Sequence, residues 1–175
     1  MSFKPPHNDK GLRVVYSILF LAFVLFLLIK NPQYNWLYMS LAIVCLIGAT
    51  YLVISFELTT YSYIFVEKDK KIEFFVDKAT GKRNNYVCYY HLTDLCYFDK
   101  YDEKARATLD KKYEGISFFR YYHNLFTKNK YVMVFKGEKG YEAVIIEAHT
   151  PFINQANSLI KRQGISLMPD GSETN

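Results

Sequence analysis

The chain has 175 residues, half of them hydrophobic, 18% aromatic and 22% charged. That composition excludes a disordered chain, which would be poor in aromatics and high in net charge, and three cysteines beside eight Gly and five Pro exclude a disulfide framework or a fibrous protein. The formal charge of +5 is unevenly spread: from Val14 to Phe56 the only charge is Lys30, whereas from Glu57 onward 18 Lys and Arg face 16 Asp and Glu. So balanced a second part lacks the basic excess of a nucleic-acid binder, and no nucleic-acid partner is expected.

Val14 to Ile29 is an uncharged run of 16 residues, about 24 Å as a helix against a hydrocarbon core of roughly 30 Å. Arg13 and Lys30 stand at its two ends, where their stems can snorkel to headgroups and extend the span. A second apolar run, Leu37 to Ile54, carries Tyr34, Trp36 and Tyr38 at its start and Tyr51 and Phe56 near its end, the positions that amphipathic rings prefer at a bilayer interface. Asn31-Pro32-Gln33 supplies the turn between them. The expected arrangement is a two-helix transmembrane hairpin over residues 13–56, anchored by Arg13, Lys30, Tyr34, Trp36 and Tyr38. A cleavable signal peptide is disfavoured, because no small-x-small site follows the first run and a second run arrives at once. Lys4, Lys10 and Arg13 precede the hairpin, and Lys68, Lys70 and Lys71 follow it; only Lys30 lies between. By the positive-inside rule both termini face the cytoplasm, with residues 1–12 as a cytoplasmic flank of a multi-pass protein of the plasma membrane.

Residues 57–163 read as strands followed by a helix. Thr59 to Val66, Ile72 to Val76, Tyr86 to His91 and Thr93 to Phe98 have strand composition, with turns at Lys68-Asp69-Lys70 and Thr80-Gly81-Lys82. Asp99 to Tyr113 is highly charged and reads as a solvated helix or an extended loop. Ile116 to Tyr122, Lys130 to Phe135 and Tyr141 to Ala148 are further strands, the last two joined at Gly137-Glu138-Lys139-Gly140. Thr150 is expected to cap a helix opening on Pro151, with Phe152, Ala156, Leu159 and Ile160 as one apolar stripe, Lys161 and Arg162 in the last turn, and Gly164 as the stop. Residues 164–175 are polar and read as a disordered tail.

Six or seven antiparallel strands and one amphipathic C-terminal helix resemble the pleckstrin-homology-like (PH-like) fold, in which the helix covers the open end of a small β-barrel or sandwich. With the preceding hairpin, residues 13–163 resemble the bacterial membrane-anchored PH-like proteins. The resemblance rests on architecture, on the Gly137–Gly140 hairpin and on Thr150-Pro151. It implies a non-catalytic interaction or scaffold subunit whose partners are the lipid bilayer and another protein or a second copy of itself.

No motif assigns a reaction, a cofactor or a metal. Cys88, His91 and Cys96 include a Cys-x-x-His spacing, but zinc wants four paired ligands, and on a regular strand Cys88 and His91 face opposite sides. Buried thiols of a reducing cytoplasm are the plainer account. Gly137 to Gly140 is too short for a P-loop; Asp99, Asp102 and Glu103 form an acidic cluster in a solvated segment; Arg120-Tyr121-Tyr122-His123 could be drawn as a site, but aromatic neighbours on a strand are more often core. The aromatic pairs Phe118-Phe119 and Tyr121-Tyr122 put rings on both faces of one strand, which is either buried on both sides or presents one face as a partner surface. If the strands stand upright on the bilayer, Lys78, Lys82 and Arg83 return to the anionic leaflet as the membrane-contacting group. Two alternatives stay open: an anionic-lipid headgroup module using Lys68, Lys70 and Lys71, with Glu67, Asp69 and Glu73 as local offset, and a membrane enzyme of unknown type.

Overall fold

The computed structural model describes residues 2–6, 10–29, 33–124, 127–138 and 140–165. The expected anchor Lys30 and the tail beyond residue 165 lie outside the described residues.

Two long apolar helices, α1 (Lys10–Leu28) and α2 (Asn35–Leu52), form an antiparallel hairpin. Its alignment is set by three levels of contact: Phe26 stacks on Tyr38 at 6.5 Å, Gly48 lies opposite Leu19, and Arg13 Nη2 meets Glu57 Oε1 at 2.9 Å. Only Leu12 on α1 and Ala42 and Ala49 on α2 are buried. Small side chains at the seam let the two backbones approach closely. The rest of the hairpin is open: Phe20, Leu21, Leu25, Val44 and Ile47 are each more than half exposed.

The hairpin leads into the sheets without a linker. The end of α2 widens into a π-helical turn, Val53–Glu57, closed by Leu58 N–H donating to Val53 O at 2.9 Å, and strand β2 starts at Thr59. The first sheet has the order β1-β2-β3-β4, from β1 (Ser2–Phe3), β2 (Thr59–Lys68), β3 (Lys71–Thr80) and β4 (Arg83–His91). Residues 1–12, expected as a flank, thus contribute both a strand and the first turn of α1: Ser2 pairs with Ile64 and Phe3 with Tyr63. A two-residue strand is invisible to sequence periodicity because β2 creates it by pairing.

The β2–β3 turn holds Asp69 at φ 51° and Lys70 at φ 65°. Two left-handed residues suit the twist of a two-residue hairpin, but only glycine adopts them without a steric cost. Lys70→Gly is therefore expected to stabilise the domain by about 1 kcal/mol, read as a higher unfolding midpoint in denaturant; an unchanged or lower midpoint would contradict this.

The second sheet has the order β5-β7-β8-β6, from β5 (Leu95–Lys100), β6 (Ser117–Tyr121), β7 (Lys130–Gly137) and β8 (Gly140–Glu147). Here the expectation of a wholly antiparallel domain is corrected, since β6 runs parallel to β8. The tight β7–β8 hairpin takes one side of β8, so β6 is left the other side, and both run opposite to β7. The described ladders form two separate sheets, a sandwich without barrel closure.

The sheets pack face to face on one aromatic core. Phe74 of the first sheet stacks on Phe135 of the second at 6.0 Å, and Tyr90 lies on the same ring at 4.3 Å. The charged segment 99–113 is a helix, α3 (Glu103–Lys112), whose N-cap Asp102 accepts from Ala105 N–H at 2.7 Å. It lays Leu109 on the outer side of the second sheet, where a second core gathers Tyr97, Tyr113, Val132, Val134, Ala143 and Ile145. Strands β7 and β8 are thereby buried on both faces, which accounts for their unbroken apolar runs, Val132 to Phe135 and Ala143 to Ile146.

Helix α4 (Thr150–Arg162) closes the other core with Phe152, Ala156 and Ile160. The N-cap position belongs to His149, not Thr150 as expected: His149 has extended backbone and no side-chain cap bond, and Thr150 already lies within the helix. Gly164, at φ 67°, takes the left-handed position after the C-terminus. Arg162 grips Glu67 through two bonds of 2.9 and 3.1 Å, and Gln163 Nε2 donates to Lys70 O at 3.0 Å.

Candidate functional site at the hairpin–sheet junction

The place where the hairpin enters the sheets is held by short backbone contacts. Thr59 Oγ1 donates to Ile54 O at 2.8 Å and lies 3.3 Å from Thr80 Oγ1. Gly81 N–H donates to Leu58 O at 3.2 Å. These bonds set the β3–β4 turn, with exposed Lys82 and Arg83, beside the foot of α2. Lys68, Lys70 and Lys71 sit at the opposite end of β2 and β3, about 33 Å away for a ten-residue strand.

Between this foot and the second sheet opens a cleft of about 370 Å³. The helix side is formed by Tyr51, Ile54, Ser55 and Phe56. On the sheet side, β2 supplies Thr59 and Tyr61, and β3 supplies Lys78 and Thr80. Arg120 of β6 and the adjoining Tyr122 complete it. The placement of Lys78 follows from strand alternation: Ile72, Phe74 and Val76 are buried on the inner face of β3, and Lys78 is next in that phase. It is half-buried and paired across the ladder with Tyr61. So Lys78 separates from Lys82 and Arg83, which the sequence reading grouped with it: it points into the cleft, and they lie in the exposed turn.

Two cations and several hydroxyls line the cleft, and among the described residues no carboxylate does. Among the described residues neither Lys78 nor Arg120 makes an ion pair. Burial raises the Tyr61 phenol above its ordinary value, so it stays protonated and able to donate. Such a lining can hold an anion.

Phe118, Phe119, Tyr121 and Tyr122 divide between the two faces of their strand, as alternation implies. Helix α3 covers one side of β6, so Phe118 packs toward it under Arg106 at 5.2 Å, and Tyr122 lies under Lys130 at 4.5 Å. Tyr121 packs against the main core, leaving Phe119 exposed. The open aromatic surface is instead on the outer face of β3 and β4, where Tyr86 and Tyr89 flank Phe75 at 6.0 and 5.0 Å and Tyr86 is 78% exposed. Strand β4 is also a sheet edge.

Cys88 points toward the core, and burial pushes its thiol up to about 12. His91 lies on the other face, where Tyr89 Oη approaches its Nε2 at 2.9 Å and donates to Glu73 Oε1 at 3.0 Å. The two therefore do not converge. Asp99 and Asp102 bind backbone N–H groups of their own segment. Near β1, Asn124 Nδ2 donates to Pro6 O at 3.2 Å and to the buried Glu147 Oε1 at 2.6 Å, tying the N-terminal segment to the sandwich. Of the hairpin residues, Arg13 holds Glu57 at the domain end, whereas Tyr34, Trp36 and Tyr38 crowd the far end, with Trp36 71% exposed.

A search of the curated proteins and one of the solved structures returned no match. A family model described as Bacterial PH-like domain (DUF6106) matches residues 3–166. That match runs from Phe3 of β1 through the helical hairpin and the remaining strands to the end of α4, and the chain belongs to this family of bacterial PH-like domains.

Proposed function

We propose that this protein is a non-catalytic, membrane-anchored subunit whose hairpin crosses the bilayer twice and holds the PH-like domain at the cytoplasmic surface to engage another protein. The observation that carries the reading is the open apolar surface of a hairpin fused to the sheets without a linker. Each large apolar side chain left in water forgoes about 1.5–3 kcal/mol, and α1 and α2 expose a dozen or more of them; lipid is the solvent that suits such a surface. The pairing of β1 with β2 supports two crossings independently of charge, because Ser2 and Ile64 must lie on the same side of any bilayer between them. The basic flanks favour the cytoplasmic side. There Lys82 and Arg83 would face the anionic leaflet, each contributing about 1 kcal/mol of attraction, and the Phe75–Tyr86–Tyr89 surface on the β4 edge would meet the partner. The raised pKa of the partly buried Cys88 thiol, which keeps it protonated, and a cationic cleft suited to an anion support a binding role.

Single cysteines at Gln33 and Lys70, in a chain whose native cysteines are replaced by serine, test the arrangement. An impermeant maleimide added to intact cells is expected to label the Gln33 variant at once and the Lys70 variant only after lysis. The reverse pattern would overturn the orientation, and equal labelling of both would overturn the crossing itself.

A further inference from the structure

The cleft at the junction does not end at its polar walls. Ile54 lines it and also lines a second, apolar groove of about 590 Å³ that runs down the hairpin between Tyr16, Phe20, Leu46, Val53 and Leu58. A cationic, hydroxyl-rich pocket therefore opens beside an apolar channel, with one residue belonging to both. We propose that the two together form the binding site of an anionic phospholipid, its phosphate held by Lys78 and Arg120 and one acyl chain laid along the groove.

The chemistry of the walls selects this ligand. A guanidinium grips phosphate oxygens through a planar fork, and an ammonium adds a point charge; Arg120 borders the cleft from an exposed position on the edge strand β6, Lys78 from a half-buried one on β3. Tyr61, Thr80 and Tyr122 can add neutral donors, and no lining carboxylate opposes them. A free phosphate would fill the polar part alone and leave the groove empty; a neutral lipid would fill the groove and leave two cations without a counter-charge. Only an anionic amphiphile satisfies both halves. Lys78 and Arg120 come from different sheets, so the occupant would bridge the two layers of the sandwich at the end nearest the hairpin. The site lies at the opposite end of β2 and β3 from the Lys68–Lys71 turn, where Glu67 is held by Arg162 and Lys70 O by Gln163.

This inference rests on the membrane-anchored reading above, and the two fail separately. Carbonate extraction of membranes reports the anchor: release of the chain would sink that reading and this one. For a chain that stays in the membrane fraction, the full-length protein is purified in mild detergent. It is incubated with equal amounts of phosphatidylglycerol and phosphatidylcholine, and its bound lipid is read by native mass spectrometry. The wild type is expected to retain phosphatidylglycerol at least tenfold over phosphatidylcholine, undiminished by 10 mM inorganic phosphate. Lys78→Gln with Arg120→Gln is expected to lower retention at least tenfold, whereas Lys70→Gln with Lys71→Gln leaves it unchanged. Lack of preference in the wild type overturns the proposal even if the double variant does not fold. Full retention by a folded Lys78→Gln/Arg120→Gln chain, displacement by phosphate alone, or equal loss in both double variants overturns it as well.

Discussion

Phe152→Ala is expected to cost the sandwich about 3–5 kcal/mol, the range for deleting a buried aromatic ring from a packed core. Phe152 is buried, and its ring meets Phe3 at 5.0 Å, Phe65 at 5.5 Å and Tyr63 at 6.0 Å. It therefore joins α4 to two strands that are 56 residues or more apart in sequence. A loss of that size approaches the whole stability of a typical domain, so trypsin should digest residues 57–165 while the apolar hairpin stays protected in detergent. Leu159→Ala makes the contrast, since Leu159 is only partly buried against the same core and a much smaller loss is expected. Equal protease resistance of Phe152→Ala and wild type would mean that α4 does not close the sandwich as described.

Alkali should unfold the domain cooperatively between about pH 10 and 12. The core between the two sheets holds a set of weak acids that burial keeps protonated: the Cys88 thiol rises from 9.0 to about 12 and the Tyr121 phenol from 10.0 to about 12. Tyr63 and Tyr90 move in the same direction, first through burial, and the Tyr90 hydroxyl is further held by donating to Glu142. Below pH 9 both the folded and the unfolded chain keep these protons, and the full stability is present. Above it the unfolded chain releases them while the fold retains them, so stability falls by up to about 1.4 kcal/mol per pH unit for each group until its folded value is reached. Tyr121 is only half-buried and partly screened by water, so it contributes less than this limit; the set together removes a few kcal/mol, which approaches the stability of an ordinary domain. Near-UV circular dichroism and tyrosinate absorbance at 295 nm should then change together in one steep step. Tyr90→Phe should move that step to higher pH. A gradual titration near pH 10 with the tertiary signal intact would contradict the burial of these groups.

The parts of the fold that could be read in advance are those whose signal is local. Alternation marked β2, β3 and β4; the glycines at 137 and 140 marked the β7–β8 hairpin; the 3.6-residue recurrence of Phe152, Ala156 and Ile160 marked α4. What escaped is created by tertiary contact. Strand β1 exists because β2 offers an edge, β6 is parallel because β7 already occupies the other side of β8, and α3 is a core helix through Leu109 despite a sequence that is mostly charged. The candidate cleft was only half legible. Reading β3 to end at Val76 hid the fact that Lys78 continues its inward phase, and Arg120 lies 42 residues further on in a different sheet. A lysine in register with an apolar stripe was the available sign. The two readings left open for the aromatics of β6 could not be separated in advance, because nothing near them in sequence announces that α3 will cover one side.

The stiff entry from α2 into β2 gives the molecule the mechanics of a lever. Thr59 is bonded back to Ile54 and Gly81 to Leu58, so no hinge separates the helix axis from the strand. A strand of ten residues carries the far turn about 33 Å from that fulcrum. A rocking of the helices by about 10° would then sweep the Lys68–Lys71 end through about 6 Å over the same lever arm. A load applied to the helices by their surroundings or by a neighbour, or one applied at the β4 edge, would be passed on as displacement rather than absorbed by a flexible tether.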